Sequence, residues 1–290
     1  MKYHQSVLLK EVVEYLKPKK GDIVLDATFG FGGHSQVFSK MIGREGKVVA
    51  FEQDRRIYQK VSKGLPDNIV LINDNFTSYR KHLDRLRINL VDKVLFDLGV
   101  SSWHFDYSGL GFSFKNDEPL DMRIDSKNKI SARDIINSYS QTELADLFFY
   151  LSDEHRSRKI ASEIINFRAK KKIDTTGELV GIVERVKGKN TRGINAATKV
   201  FQALRIEVNH ELSNLKKTLE AIMQDVSSGG RVAVISFHSK EDRIVKNTFK
   251  KCRDKSEVQS LTKKPIVPSR NEINSNPRSR SAKMRVVEKK

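Results

Sequence analysis

The chain has 290 residues, 38% of them apolar and 31% charged, with Cys252 as the single cysteine; this supports one large or two modest domains and excludes a disulfide framework or a thiolate-cluster zinc site. No apolar run approaches the roughly 20 residues that span a bilayer, the N-terminus lacks a signal-peptide pattern, and the histidines form no HExxH-like pair, so the expectation is a cytoplasmic protein with neither membrane nor metal partner. The net charge of +18 is confined to residues 155–205 and 250–290, each with 13 Lys/Arg against 4 Asp/Glu, which points to a polyanion-binding surface and to nucleic acid over lipid, against the plainer reading of two solvated helical faces.

Apolar residues at 8, 9, 12, 13 and 16 give the N-terminal segment one helical face, which Pro18 and Gly21 end. A strand at 23–27 then runs into Asp26-Ala-Thr-Phe-Gly-Phe-Gly-Gly-His-Ser35, a glycine turn that opens a helix over 35–42. Gly30, Gly32 and Gly33 leave the backbone clear where a ligand approaches, and the N–H groups of the new helix face it. The next strand, 48–52, ends at Glu52, placed to accept the hydroxyl protons of a ribose. The turn is Gly-x-Gly-Gly-His and not Gly-x-Gly-x-x-Gly, so S-adenosylmethionine fits better than a dinucleotide.

A helix over 54–63, a strand at 69–72 ending near Phe76, a helix over 78–87 and a strand at 91–97 ending in Asp97 continue the alternation. Phe76 suits an adenine stack or the core equally. In an open α/β sheet, ligands sit beyond the carboxyl ends of the strands, where Asp26, Glu52, Phe76 and Asp97 converge. From Trp103 a long loop with Phe105, Phe112 and Phe114 is expected to lie over the cofactor or the substrate base. Residues 131–226 read as helices, the last a long periodic face from Ala197 to Ile222, so the helical block is expected to be inserted between strands of one sheet. A strand at 231–237, a helix from His238 to about 251, and a hairpin from 258–261 and 284–287 close the chain. His238 reads as a base or a cap, and the arginine-rich 276–285 as a polar, phosphate-binding run with Arg278, Arg280, Lys283 and Arg285.

The motifs at 4–9, 26–35, 97–102, 111–114, 119–125, 201–206, 232–243 and 276–285 together resemble the bacterial ribosomal RNA small subunit methyltransferase H family over nearly the full length. That resemblance implies an α/β, Rossmann-like S-adenosylmethionine-dependent methyltransferase sheet, residues 1–105 and 208–290, with an inserted helical, RNA-binding domain at 106–207. It implies N4-methylation of a decoding-region cytidine in 16S rRNA and cofactor contacts at Gly32, Gly33, His34, Glu52, Phe76, Asp97 and His104. The chain departs from the family pattern at Glu52, which replaces an Asp, at Trp103-His104, which replaces Pro-Gln, and at Leu110, which replaces an Arg. Asp97 is the candidate catalytic residue, because an amine whose lone pair is delocalised must be held in line and its N–H groups accepted. The alternatives are methylation of another RNA or DNA amine, and a non-catalytic RNA-binding or assembly protein of the same fold. Oligomeric state is left open.

Overall fold

The apolar runs read as strands join one seven-stranded sheet, and the computed structural model describes residues 5–191 and 194–290; His4, which opens the first motif, lies outside them. In chain order, α1 (Leu9–Leu16), β1 (Ile23–Asp26), α2 (Gly33–Ile42), β2 (Lys47–Phe51), α3 (Arg55–Val61), β3 (Ile69–Ile72), α4 (Tyr79–Arg85) and β4 (Val91–Asp97) alternate. A helical stretch follows, made of α5 (Ser102–Tyr107), α6 (Ala132–Ser138), α7 (Gln141–Ser152), α8 (Ser157–Arg168), α9 (Thr176–Lys187), two-residue strands β5 (Asn190–Thr191) and β6 (Ile194–Asn195), and α10 (Thr198–Asn209). Then come α11 (Glu211–Ile222), β7 (Val226–Ser236), α12 (Ser239–Asp254), β8 (Val258–Ser260), α13 (Arg270–Ser275) and β9 (Lys283–Lys289). No helix of the described residues is long and apolar enough to cross a membrane.

The chain divides into two compact units, residues up to Gly99 with Leu212–Lys290, and Val100–Glu211. The breaks fall at 99/100 and 211/212, where the sequence suggested 105/106 and 207/208, because Val100 and Phe105 pack on the helical core and α10 continues to Asn209.

In the first unit the strand order is β3-β2-β1-β4-β7-β9-β8, with β1 to β4 and β7 mutually parallel and β9 antiparallel to both β7 and β8. The order reverses between β1 and β4, and that switch point is where an open α/β sheet binds its ligand. Strands covered on both faces need apolar residues at every position, so they are legible as continuous runs. Leu25, Val49, Phe51, Val94, Phe96 and Val234 face α4, α11 and α12. Val24, Val48, Ala50, Leu95, Ala233 and Ile235 face α1 and α2.

Three expectations are corrected. The single long helix from 197 to 222 is two helices, because His210 takes a left-handed φ of 53° that ends α10, while the apolar spacing continues across the break. The loop from Trp103 begins as α5, capped reciprocally by Ser101 and His104. The polar run 276–285 is not wholly solvent-facing: Ser279 is buried, and Arg285 lies in β9 with its guanidinium on Asp242 at 2.6 and 3.2 Å. The two side chains of that pair are each 15% exposed. Arg285→Ala strands the Asp242 carboxylate with only Lys283 at 4.0 Å, and it is expected to lower stability by about 2–4 kcal/mol, read as a lower denaturation midpoint at unchanged m-value.

The helical unit is organised by local rules. Ser131/Asp134, Ser140/Glu143 and Thr175/Glu178 form capping boxes that start α6, α7 and α9. The long loop before α6 is tied into this unit: Asn209 accepts from the Ile124 N–H and donates to the Met122 carbonyl, and Phe112, Leu120, Met122 and Ile124 are core residues. Phe112 lies in that core with Phe105 and Phe114 packed on it, so these aromatics anchor the loop to the helical unit.

Candidate active site

The glycine turn grows from β1. Ser35 Oγ donates to one Asp26 oxygen at 2.6 Å and the Thr28 N–H to the other at 3.1 Å, so the strand end is tied to the first turn of α2. Gly32 caps α2 in a left-handed conformation with φ of 78°, which a side chain would strain. Gly33 serves a purpose the sequence did not reveal, since a Cβ there would fall on the Ser6 hydroxyl. The segment before α1 therefore covers the start of α2. It is held by the Leu8 N–H donating to Glu272 at 2.8 Å and by the Asn276 amide on the Gln5 carbonyl. His34 Nε2 lies 3.1 Å from the Val7 carbonyl, which can only accept, so the proton sits on Nε2 and Nδ1 faces Asp97 at 3.8 Å.

Glu52 follows β2, and its carboxyl accepts from the Gly30 N–H at 3.0 Å and the Asp54 N–H at 2.7 Å, bracing the glycine turn against the next strand. Burial pushes its pKa to about 8, against the opposing pull of those two N–H groups. Asp54 is committed elsewhere, capping α3 and holding the Arg56 guanidinium. Asn73 donates to the Glu52 carbonyl, and Asn75 donates to the Gln53 side chain at 2.6 Å; this frames Phe76, which meets Phe96 edge-on at 5.6 Å and stays partly exposed. Nothing in the sequence singled out Gln53 or Asn75.

Asp97 ends β4, its N–H donating to Thr28 Oγ1 at 2.7 Å. Its Oδ1 is buried with no hydrogen-bond partner. Burial, and then the charges of Asp26, Glu241 and Glu272, hold its pKa well above the carboxylate range. Burial also lifts Asp26 to about 6. Glu241 and Glu272 reach this centre from α12 and α13, distant parts of the chain that no local motif connects to Asp97. His238 is the N-cap of α12, paired with Glu241 at 3.3 Å, which answers the choice between base and cap in favour of the cap.

Of the predicted residues, Gly32, Gly33, His34, Glu52, Phe76 and Asp97 thus lie at the carboxyl edge of the one sheet, linked by the contacts above. His104 belongs to the helical unit, where Nδ1 accepts from the Ser101 N–H at 3.1 Å and the ring lies edge-on to Trp103 and Phe112. Arg278 and Arg280 are exposed, and Lys283 is half-exposed.

An orphaned carboxylate oxygen among three further acids calls for a cationic hydrogen-bond donor, and a buried carboxyl at the next strand end calls for hydroxyls. A sulfonium nucleoside carrying an amino acid supplies both, so these residues fit S-adenosylmethionine. Ionised Glu52 accepts from hydroxyls better than its neutral form, so binding releases a proton and affinity is expected to rise as pH approaches about 8. Calorimetry in buffers of differing ionisation enthalpy measures the release, and a pH-independent affinity would remove Glu52 from the site. The cofactor-free protein carries the opposite dependence. Glu52, whose carboxyl titrates near 4.5 when unfolded and is pushed up to about 8 when folded, gives stability that is full below pH 4.5 and is lost as pH rises towards 8.

The sequence matches known proteins over nearly its whole length. The family model described as the MraW methylase family matches residues 1–290. The chain is 42% identical over 292 residues to the ribosomal RNA small subunit methyltransferase H of Dictyoglomus thermophilum, covering 99% of this chain and 97% of that protein. It is 39% identical to the protein of the same name from Clostridioides difficile, covering 99% of each. Among solved structures, an rRNA methylase from Streptococcus thermophilus matches with a TM-score of 0.43 at 14% identity, covering 97% of this chain and 93% of that one. The chain belongs to the MraW methylase family, and it is an S-adenosylmethionine-dependent methyltransferase with a Rossmann-like sheet.

Proposed function

We propose that this protein methylates the exocyclic N4 of a cytidine in the decoding region of 16S ribosomal RNA. The observation that carries the reading is the buried, unpartnered Asp97 oxygen at the switch point of the sheet. The names of the relatives supply the substrate class, and the two basic segments, 155–205 and 250–290, suit a polyanion.

The cofactor, when bound, supplies an electrophilic methyl on a sulfonium. Glu52 would accept from its ribose hydroxyls, Phe76 would lie against its base, and the glycine turn before α2 would receive its carboxylate. The cytosine amine is a poor nucleophile until its lone pair leaves the ring. Asp97 and the Leu98 carbonyl accept its N–H groups, holding the nitrogen in line as it becomes tetrahedral. As the new bond forms the nitrogen gains positive charge and its N–H becomes more acidic, so no strong base is needed before attack and one proton passes to the Asp97 carboxylate afterwards. The helical unit and the exposed Arg278, Arg280 and Lys283 contact RNA phosphates, while Arg285 stays in its ion pair.

Transfer of labelled methyl from S-adenosylmethionine to free 16S rRNA, to small ribosomal subunits, to unrelated RNA and to DNA tests the reading. Label on rRNA or subunits alone is the expected result. Label on DNA or unrelated RNA replaces the substrate, and absence of label from all four supports a binding protein of the same fold.

A further inference from the structure

The first unit carries a cationic surface that counting charges along the chain does not expose. Helix α12 buries Val245, Phe249 and Cys252 against the sheet, beside Leu215 and Leu219 of α11. Its opposite face presents Arg243, Lys246, Lys250 and Arg253, all exposed and spaced three, four and three residues apart. At 1.5 Å per residue this stripe is about 15 Å long.

Two of the three acids of α12 are turned inward, and the third, Asp254, lies exposed at its end and meets Arg253 at 3.3 Å. Glu241 is buried and accepts from the Phe237 and His238 N–H groups, and Asp242 holds Arg285. Segment totals therefore cancel charges that the fold separates. Among the described residues Arg243, Lys246 and Lys250 form no ion pair, and the neighbouring Lys251 meets Glu220 of α11 only at 3.8 Å. Lys216 and Lys217, exposed one turn before Glu220, extend the cationic face onto α11.

The stripe also has a direction. Helix α12 starts just beyond the carboxyl end of β7, the strand paired with β4, so its first turn lies at the edge of the sheet that holds Asp97. None of the exposed large apolar side chains of the described residues lies on α12 or α11, which disfavours lipid insertion or an aromatic-anchored protein interface. An evenly charged face without apolar anchors matches a nucleic-acid backbone.

We propose that the outer face of α12, with the adjoining turn of α11, is a track for the sugar–phosphate backbone of the RNA flanking the target nucleotide. This rests on the rRNA reading above and adds a surface separate from the tail arginines. A variant combining Arg243→Gln, Lys246→Gln and Lys250→Gln is compared with wild type for 16S rRNA affinity across a range of salt concentrations. Affinity is expected to fall about tenfold or more at physiological salt, and the slope of log K against log salt to become shallower by about two units. S-adenosylmethionine affinity, melting temperature and the single-turnover rate at saturating RNA should be unchanged. A second variant with Arg243→Lys, Lys246→Arg and Lys250→Arg should keep the wild-type slope, as should a control with Lys10→Gln, Lys20→Gln and Lys63→Gln, which lie exposed elsewhere in the unit. Wild-type affinity and slope in the folded Gln variant would overturn the proposal, as would an equal loss in the control. Failure of the wild-type protein to methylate any rRNA would instead overturn the functional reading on which the track depends.

Discussion

Asp97→Ala is expected to slow single-turnover methyl transfer, measured at saturating cofactor and RNA, by about 10²–10⁴-fold. The carboxyl ends β4 at the point where strand order reverses, and its Oδ1 has no hydrogen-bond partner among the described residues. Such an oxygen can accept a hydrogen bond, and the amine of the target base must give up one N–H proton as it is methylated. The variant should stay folded, since the deletion removes a buried acid surrounded by Asp26, Glu241 and Glu272 and leaves only the Asp97 N–H to Thr28 bond in place. Asp97→Asn keeps an acceptor but loses the charge, so an intermediate rate is expected. A near-normal single-turnover rate in the Ala variant would leave Asp97 as a cofactor-binding residue with no part in the transfer.

The second large effect falls on binding. Glu52→Ala should weaken S-adenosylmethionine by about 1.5–3 kcal/mol, roughly ten- to more than a hundredfold, through loss of a charged acceptor. The competing candidate two residues on is Asp54, but its oxygens already serve the Arg56 N–H and guanidinium and cap α3. Asp54→Ala is accordingly expected to lower stability by about 1 kcal/mol as a lost cap, with cofactor affinity nearly unchanged. Titration calorimetry on both variants separates them. The reverse pattern would move the ribose contact to Asp54. Because the Glu52 carboxyl also braces the Gly30 and Asp54 N–H groups, Glu52→Gln is the companion that keeps an acceptor there while removing the ionisation.

The sheet was legible because the inner parallel strands are buried on both faces and carry apolar runs, such as Val48–Phe51, Val94–Phe96 and Val232–Ile235. The carboxyl-end residues followed from that, since a strand read correctly fixes where its last side chain lies. What stayed hidden depends on contacts far apart in the chain or on single backbone angles. The apolar spacing continues through His210, so only its left-handed φ separates α10 from α11. At Gly33 the missing Cβ also makes room for the Ser6 hydroxyl, distant in sequence. The acids that raise Asp97 come from α12 and α13, and Glu272 also receives the Leu8 N–H, a pairing that no local pattern encodes. Arg285 read as one of four equivalent cations because alternation along β9 was masked by the arginines just before it. Its partner Asp242 lies on a different element.

The identity of the methylated nucleoside tests the account most directly. Small ribosomal subunits or 16S rRNA lacking the modification are incubated with the protein and S-adenosylmethionine, and the RNA is digested and resolved by mass spectrometry, with Asp97→Ala treated in parallel. The account predicts one new N4-methylcytidine, mapping to a decoding-region fragment, formed by the wild-type protein and strongly reduced with the variant. A methyl group on another atom or another region of the RNA, or equal modification by the Asp97→Ala protein, would contradict it.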